Sequence, residues 1–331
     1  MTINTERPKV SIVMSFHNEP LQWIRLAVES LIEQTFKDFE LIIVCDNPDN
    51  SEGISYISSL EDSRIRFTIN PKNLGPTKSF NIGIAAASGE YIARMDTDDI
   101  CLPERLERQV SFLDSHPDIS VCATDTHTID KDGKIIRHNR YKHKRDIALM
   151  FISNCISHPS VMFRRSLLEA RNPIYNEEYI YSQDYELWQF LLLKGYKIHT
   201  LNQVLLLYRK HKIQISSARK AKQVELFKRA HRSFINNWLL DRNIIQEEDC
   251  NDLKAMLRKA SAAYSASDKN DERRQLAHII YVIYYSLGTL NRKYRLAYLA
   301  DRNLIAFRIK FILTFRLLFS GEKRVSRSGL V

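Results

Sequence analysis

The chain has 331 residues, of which 44% are hydrophobic, enough for one large domain with a smaller appendage. Its five cysteines are scattered and form no Cys-x-x-Cys pair, which excludes a disulfide framework and a cysteine zinc site and indicates reduced thiols. The net charge of +10 arises in the C-terminal third, where residues 222–331 hold 21 Lys and Arg against 11 Asp and Glu, so any basic partner surface belongs there.

Strands and helices are predicted to alternate over the N-terminal third. The apolar run from Val10 to Phe16 predicts a buried first strand rather than a signal peptide. Apolar residues at helical spacing follow in EPLQWIRLAVESLIEQ, and a helix of small residues is predicted in PTKSFNIGIAAAS. Further strands are predicted in FELIIVCD, IRFTIN and GEYIARMD. This alternation predicts βαβ units and a Rossmann-like α/β fold, with a mostly parallel central sheet flanked by helices.

Polar residues end three of these predicted strands. Because parallel sheets bind ligands at the carboxyl ends of their strands, we expect the three polar ends to face one crevice. They are Phe16-His17-Asn18-Glu19, Asp46-Asn47 and Asp96-Thr97-Asp98-Asp99.

From about residue 120 the predicted pattern changes to mixed strands and helices. SHPSVMFRRSLLEA predicts a strand that leads into a helix, and YSQDYELWQFLLLKGYKI predicts a helix that ends before Gly195. HTLNQVLLLYRKH predicts another strand, and from residue 222 onward every segment predicts helix.

The three carboxylates of Asp96, Asp98 and Asp99 stand within four positions of the chain. Carboxylates this close repel one another, and each tends to keep a proton unless a cation lies between them. Oxygen ligands suit Mg²⁺ or Mn²⁺, usually with phosphate oxygens completing the coordination. The cluster therefore predicts a divalent metal site that holds a diphosphate.

Other interpretations of the acidic cluster explain less. An EF-hand loop would place Glu107 at its last position, but it fails at Ile100 and lacks a glycine at Cys101. A phosphatase-type aspartyl nucleophile needs a different supporting set of residues. Helix capping by Asp99 ahead of Pro103 explains only one of the three carboxylates.

Over residues 9–217 the sequence resembles the family 2 glycosyltransferases of bacterial surface-polysaccharide assembly, whose fold is called GT-A. The resemblance implies a GT-A catalytic domain over residues 1–218, with a nucleotide-sugar half of about residues 1–100 and an acceptor half of about 101–218, followed by a basic helical region over 219–331. The motifs that carry it occur in the family's order: VSIVMSFHNE, QTFKDFELIIVCDNPDNS, NLGPTKSFNIGIAAASGEYIARMDTDD, SHPSVMFRR, QDYELW and YRKHKIQIS.

The resemblance implies a set of nucleotide-binding residues. Phe16 is expected to stack on the base, and Glu19 and Asp46 to bind the base or ribose. Asn73 opens the NLGPTKSFN segment and is expected to contact the nucleotide. Asp96 is expected to touch the ribose or the metal.

The resemblance also implies residues for the metal and for catalysis. Asp98 is expected to be the main metal ligand, with His211 near the diphosphate or metal and Arg209 supporting it. Asp184 is expected to be the catalytic base of an inverting reaction. Two alternatives stay open for this last role: in one, Asp184 only caps its helix after Ser182, and in the other, Glu186 is the base.

The sequence departs from the family pattern at two positions. The turn that often reads Asp-Asp-Gly-Ser is Cys45-Asp46-Asn47-Pro48 here, so base contacts in that turn are in doubt. The family's Glu-Asp pair is Gln183-Asp184, which keeps the expected base and loses its acidic neighbour. His158 is equally consistent with an acceptor contact and with a structural role. For Trp188, helix packing is favoured over stacking on a sugar.

The basic C-terminal third mixes cationic and bulky apolar residues. YVIYYSLGTL and FILTFRLLF are each shorter than the roughly 18 apolar residues of a spanning helix. Such a mixture suits a helix that lies on an anionic membrane surface, whereas a helical cap on the fold or a homodimer interface is the alternative. We expect no nucleic-acid partner, because no nucleic-acid-binding module is recognisable.

The leading hypothesis is a metal-dependent, inverting glycosyltransferase of the hexosyltransferase class. It uses a nucleotide sugar, in first place a UDP-sugar, and a lipid-linked saccharide acceptor, at the inner face of the cell membrane. Two alternatives stay open. The first is a nucleotidyltransferase or sugar-nucleotide hydrolase, but the SFHNEPLQ segment lacks the phosphate-binding loop that such an enzyme needs. The second is a non-catalytic scaffold with a degenerate fold.

Overall fold

The computed structural model describes residues 7–139, 154–211, 214 and 220–290. Among these, one compact unit comprises the described residues up to 139 and from 156 to 230, and a second comprises residues 154–155 and 231–290. The division after Ala230 falls inside a helix, so the first turns of that helix belong to the first unit. The boundary expected at residues 218–219 stays a prediction.

Four parallel strands form the N-terminal half of the first unit. They are β1 (Val10–Phe16), β2 (Phe39–Cys45), β3 (Ile65–Ile69) and β4 (Tyr91–Asp96), in the spatial order β3-β2-β1-β4. Nearly all residues of β1, β2 and β4 are buried, as expected of parallel strands covered on both faces. The predicted strands are confirmed.

Three helices connect these strands: α1 (Leu21–Ile32), α2 (Ser51–Ser58) and α3 (Pro76–Ala85). In α1 the buried residues are Ile24, Ala27, Val28 and Leu31, whose helical spacing forms one apolar face. Helix α3 begins after Gly75, which has a φ of 87° and so takes a conformation that favours glycine.

The sheet continues with shorter and more irregular strands. The strands β5 (Ile100–Cys101), β6 (Ile119–Ile129), β7 (Ile135–Asn139), β8 (Met162–Arg164) and β9 (Lys197–Arg209) complete a nine-stranded sheet among the described residues. Its order is β3-β2-β1-β4-β8-β6-β9-β5, with β7 paired to β6. The strand β8 is antiparallel to both β4 and β6, whereas β6 and β9 are parallel.

Three helices accompany these strands: α4 (Arg105–Ser115), α5 (Leu167–Ala170) and α6 (Gln183–Leu193). After α6, Gly195 has a φ of 81°, its N–H donates to the Leu192 carbonyl, and the Tyr196 N–H donates to the Leu191 carbonyl. This is a Schellman motif, and it confirms the predicted helix end before Gly195.

The described residues after 220 are helical, as predicted, with α7 (Lys220–Leu240), α8 (Leu253–Ala266), α9 (Asn270–Leu290) and a 3₁₀ turn at Glu247–Asn251. Within the part of the chain that the structure describes, no helix is both long and apolar enough to cross a bilayer. The FILTFRLLF segment lies outside the described residues.

Candidate active site

A cleft of about 1220 Å³ opens at the carboxyl ends of β1, β2 and β4. The polar strand ends meet there, because parallel strands present their carboxyl ends at one edge of the sheet. Residues between Thr126 and Gln223 also line it. The lining includes Phe16, His17, Glu19, Asp46, Asn73, Arg94, Asp96, Asp98, His158, Asp184 and His211.

Asp46 holds the loop that leads into α3. Its Oδ1 accepts from the Leu74 N–H and the Asn70 side-chain amide, at 2.9 and 2.8 Å, and its Oδ2 accepts from the Gly75 N–H at 2.9 Å. The residue is only 3% exposed. Asp46 therefore fixes the Asn73 loop at the cleft wall, a role that sequence analysis did not identify.

The His17 imidazole joins this loop to the end of β1. Its Nδ1 lies 3.2 Å from the Asp46 carbonyl oxygen, and its Nε2 lies 3.1 Å from the Asn18 amide and 3.3 Å from the Asn73 amide. A neutral ring with its proton on Nδ1 satisfies all three contacts, because the carbonyl accepts and the two amides donate. Asn73 thus lines the cleft as predicted, within a network centred on His17.

The ring of Phe16 does not face the cleft. Phe16 is 1% exposed, and its ring stacks on that of Phe67 at 6.3 Å between ring centroids. The ring also packs closely against Gly53, where an added Cβ would lie 2.7 Å from the Phe16 Cε2. Although Phe16 borders the cleft, this burial leaves little of its ring for stacking on a base, and the expected base-stacking role stays a prediction. The side chain belongs to the core cluster that includes Ile24 and Cys45.

The three aspartates after β4 form one cluster. Asp96, Asp98 and Asp99 each offer a carboxylate oxygen, and these oxygens all lie within 4.8 Å of one another. Burial raises the pKa of Asp96, with the Asp98 charge adding to the shift and Arg94 opposing it. Burial together with Asp98 and Asp96 raises the pKa of Asp99 well above its usual range. Without a cation, the cluster is electrostatically unfavourable, as its spacing predicted.

Asp99 caps no helix, so that alternative is wrong. The residue before α4 is Glu104, whereas the Asp99 Oδ1 accepts from the Arg209 N–H at 2.8 Å and its buried Oδ2 has no hydrogen-bond partner among the described residues. The EF-hand alternative also lacks its last ligand, because the Glu107 carboxylate accepts from the Thr35 hydroxyl at 2.8 Å.

His211 lies against the cluster at the end of β9. Its Nε2 is 2.8 Å from the Asp98 Oδ2, and its ring packs on Trp23 at 4.6 Å between centroids. Adjacent ligands of an octahedral Mg²⁺ with bonds of about 2.1 Å lie roughly 3 Å apart, so this pair has the spacing of two ligands on one ion. The donor set of carboxylates with one imidazole fits a divalent metal.

The Arg209 side chain contacts the backbone next to the cluster from the protein interior and not from the cleft. It is 1% exposed, and its guanidinium donates to the backbone carbonyls of Asp98, Asp130 and Lys131 at 2.7 to 3.0 Å. Burial lowers its pKa. Arg209 thus supports the Asp98 loop, whereas the support of His211 expected of it stays a prediction, and it does not line the cleft as a nucleotide contact would.

Glu19 lies at the rim between the β1 loop and the cluster. Its Oε2 accepts from the His17 N–H at 2.7 Å, which holds the loop after β1. Burial raises its pKa, the His17 hydrogen bond opposes the shift, and the charge of Asp98 adds to it. Glu19 is therefore close to the cluster and lines the same cleft.

Asp184 lies in the first turn of α6 and lines the same cleft as the acidic cluster. The negative charge of Asp184 raises the pKa of Asp96 and of Arg94, which indicates that Asp184 lies near both side chains. The cap of α6 is Ser182, with no side-chain capping bond. Glu186, the other candidate base, is bound by both terminal nitrogens of Arg171 at 3.0 and 2.9 Å and does not line the cleft.

His158 lines the cleft together with Asp184, and the buried Trp188 packs behind it. The His158 Nε2 lies 2.7 Å from the Tyr175 hydroxyl, and its ring meets Trp188 edge to face at 5.9 Å. Burial and the charge of Arg94 lower the pKa of His158 well below its usual value, so the ring is neutral near pH 7. Trp188 is fully buried, as the packing interpretation requires.

Comparison with known proteins identifies the class. The model of glycosyl transferase family 2 matches residues 11–171. An uncharacterized glycosyltransferase, MJ1057 of Methanocaldococcus jannaschii, is 37% identical over 209 residues, which cover 62% of this chain and 71% of the relative. The amylovoran biosynthesis glycosyltransferase AmsE of Erwinia amylovora is 31% identical over a region that covers 59% of this chain and 74% of AmsE. The chain therefore belongs to glycosyltransferase family 2.

Solved structures support the same fold. S. aureus TarS 1–349 in complex with UDP-GlcNAc has a TM-score of 0.57 at 18% identity and covers 84% of this chain and 81% of its own. The mannosyltransferase PcManGT of Pyrobaculum calidifontis, in complex with GDP-Man and Mn²⁺, has a TM-score of 0.50 at 16% identity, over 96% and 88% of the two chains. The predicted GT-A fold is confirmed.

Proposed function

We propose that this glycosyltransferase is inverting and metal-dependent, and that it moves a hexose from a nucleotide sugar, in first place a UDP-sugar, to a lipid-linked saccharide. The observation that carries the proposal is that one cleft is lined both by the acidic cluster after β4 and by Asp184. A reaction in one displacement needs a leaving group and a base on opposite sides of the sugar.

The metal is Mn²⁺ or Mg²⁺ in this proposal, held by Asp98 and His211, with Asp96 contributing. When bound, it supplies positive charge that stabilises the diphosphate leaving group as the glycosidic bond breaks. The chain prepares this site in advance, because Arg209 fixes the Asp98 backbone and the Arg209 N–H fixes Asp99. Such preorganisation is effective because no reorganisation is needed during the reaction.

Asp184 is the general base. Its carboxylate takes the proton of the acceptor hydroxyl while that oxygen forms its bond to the anomeric carbon and the bond from that carbon to the diphosphate oxygen breaks. The configuration at the anomeric carbon inverts in this single step. Glu186 is unsuited to the role, since its carboxylate is paired with Arg171.

The nucleotide occupies the donor side of the cleft, along the loop that Asp46 and His17 hold. Asn73 and Glu19 remain candidates for direct contacts with the base or ribose. The UDP preference is supported by TarS, solved with UDP-GlcNAc, whereas PcManGT, solved with GDP-Man, keeps GDP-sugars in the test.

The acceptor is proposed to be a lipid-linked saccharide in O-antigen, capsule or exopolysaccharide assembly. AmsE, and the O-antigen biosynthesis glycosyltransferase WbnJ of Escherichia coli at 29% identity over 61% of this chain, support this direction. The proposed location is the inner face of the cell membrane, with the basic residues of 222–331 at the anionic surface. A homodimer stays an alternative role for that region.

Release of nucleoside diphosphate from a panel of UDP-, GDP- and TDP-sugars tests the proposal. We expect turnover of one donor with Mn²⁺ or Mg²⁺ and none with EDTA. Metal-dependent release of nucleoside monophosphate instead would favour a sugar-nucleotide hydrolase. Absence of turnover and of metal-dependent binding, read by thermal shift on the same panel, would favour a scaffold with a degenerate fold.

A further inference from the structure

Arg94 is a buried cation that sequence analysis did not single out. It precedes Asp96 by two residues on β4, so both side chains lie on the same face of the strand. Arg94 is 7% exposed and lines the cleft. Its Nη2 contacts the Asp96 Oδ1 at 2.7 Å.

Two nitrogens of this guanidinium find no acceptor in the part of the chain that the structure describes. Its Nε and Nη1 are buried and have no hydrogen-bond partner among the described residues. A buried donor without an acceptor costs about 1–3 kcal/mol, and more when the donor is charged. The protein retains this cost beside its cleft, which indicates that an acceptor from a ligand completes the arrangement.

The guanidinium is also held in place. It lies 4.2 Å from the centre of the Phe80 ring, in a cation–π contact. The Arg94 N–H donates to the Val161 carbonyl at 3.0 Å, and the Arg94 carbonyl accepts from the buried Arg105 at 2.8 Å. The unused donors therefore point in fixed directions and do not depend on a mobile side chain.

The surroundings identify the kind of acceptor. With Asp96 at 2.7 Å, the positive charge is already compensated, so the free N–H groups suit an uncharged oxygen more than a second carboxylate or a phosphate. Arg94 contacts Asp96 and lines the same cleft as the proposed base Asp184, in which the proposed function places the sugar.

We infer that Arg94 binds the transferred sugar, donating hydrogen bonds to its hydroxyl oxygens, and so contributes to the choice of sugar. The inference rests on the proposed function, because it takes the sugar to lie between the acidic cluster and Asp184. Loss of these contacts weakens binding of the sugar and leaves binding of the nucleotide unchanged.

Arg94→Lys tests the inference, because lysine keeps a positive charge for Asp96 and removes the planar set of additional donors. Calorimetric titrations with Mn²⁺ would compare UDP with UDP-GlcNAc and GDP with GDP-mannose, using the pair whose sugar nucleotide the wild-type protein turns over. We expect the variant to bind that nucleotide sugar about 10-fold more weakly, and the free nucleoside diphosphate less than about 2-fold more weakly.

Arg164→Lys is the matched control. Arg164 lies on β8, where it pairs with Tyr91 at the other end of β4, and its guanidinium donates to the Leu113 and Ile119 carbonyls. Its replacement should change neither affinity. Should Arg94→Lys prevent folding, Phe80→Leu would replace it, since it removes the ring that orients the guanidinium and keeps every charge.

Equal weakening of both ligands by Arg94→Lys would show a structural role and overturn the inference, as would unchanged affinity for both. Failure of the wild-type protein to bind any nucleoside diphosphate or nucleotide sugar is a different result. That outcome would contradict the proposed function itself.

Discussion

The two halves of the cleft are built by different kinds of structure. In the donor half, residues 7–100, β1 pairs with β2 and with β4 in parallel and in unbroken register. In the acceptor half, β6 pairs with β9 across several register shifts, and the interior of β6 contains the buried polar residues Thr124, Asp125 and Thr126. The donor half is therefore regular with its functional groups at strand ends, whereas the acceptor half is irregular and polar within.

This difference suggests that the two halves have different functions, one in binding the donor and one in binding the acceptor. Regular strands place the acidic cluster and the Asp46 loop rigidly, which suits the binding of a nucleotide and metal in the proposed function. The irregular half supplies Asp184 and His158 from a helix and a 3₁₀ turn, which suits an acceptor that differs among relatives. We therefore expect donor-half variants to affect donor binding, and acceptor-half variants to affect turnover after binding.

Asp184→Asn should give the largest effect. We expect kcat to fall about 10³-fold, because a general base accelerates such reactions by roughly 10²–10⁴-fold. The affinity for the nucleotide sugar should stay unchanged. Single-turnover assays and calorimetry check the two parts. Glu186→Gln, on the same helix, is the matched control and should retain kcat within about 3-fold, because its amide still accepts from Arg171. Equal losses in the two variants would remove Asp184 from the base role.

Asp98→Asn should lower kcat by about 10², by analogy with the loss of one electrostatic group that stabilises a leaving charge. Unlike Asp184→Asn, it should also weaken metal-dependent binding of the nucleotide sugar. Titration of Mn²⁺ at fixed donor concentration measures the shift. An unchanged Mn²⁺ requirement in this variant would contradict the assignment of Asp98 as a metal ligand.

His158→Gln tests the acceptor half through pH. Below about pH 6.5 the unfolded histidine gains a proton, whereas burial and Arg94 keep the folded ring neutral, so wild-type stability falls as the pH drops below that value. One such group contributes at most about 1.4 kcal/mol per pH unit to the free energy of unfolding. Urea titrations between pH 5 and pH 8 should show a shallower decline for the variant. Identical pH slopes would mean that His158 is protonated in the folded protein.

Phe16→Leu should give the smallest functional effect. With its ring in the core, we expect a loss of about 1 kcal/mol in the free energy of unfolding and a donor KM within about 2-fold of the wild type. Urea unfolding and donor titration measure both. A large rise in KM with unchanged stability would restore the base-stacking role.

The sequence predicted the donor half well because its signals are local. The apolar runs of β1, β2 and β4 and the polar residues that follow them are adjacent in the chain, and a parallel sheet necessarily brings such ends together. Asp98 and Asp46 were found for this reason. The helix that carries Asp184 was also predicted, because its apolar spacing and Gly195 are local features.

Other parts of the site depend on contacts between distant residues. The family resemblance assigned Phe16 to the base, but whether an aromatic ring at a strand end faces the core or the cleft depends on Phe67 and Gly53. Arg94 was overlooked because an arginine inside a buried strand is interpretable only once Asp96, Phe80 and Asp184 are placed around it. A charged residue within the apolar run YIARMD was the available signal.

The most direct test of the account uses the slow hydrolysis of the donor without acceptor, where water takes the place of the acceptor hydroxyl near Asp184. Real-time proton NMR identifies the anomer of the sugar first released, before the two anomers equilibrate. From an α-linked donor, the account predicts the β anomer first, together with its loss in Asp184→Asn. Initial release of the α anomer would contradict a single displacement and the role of Asp184.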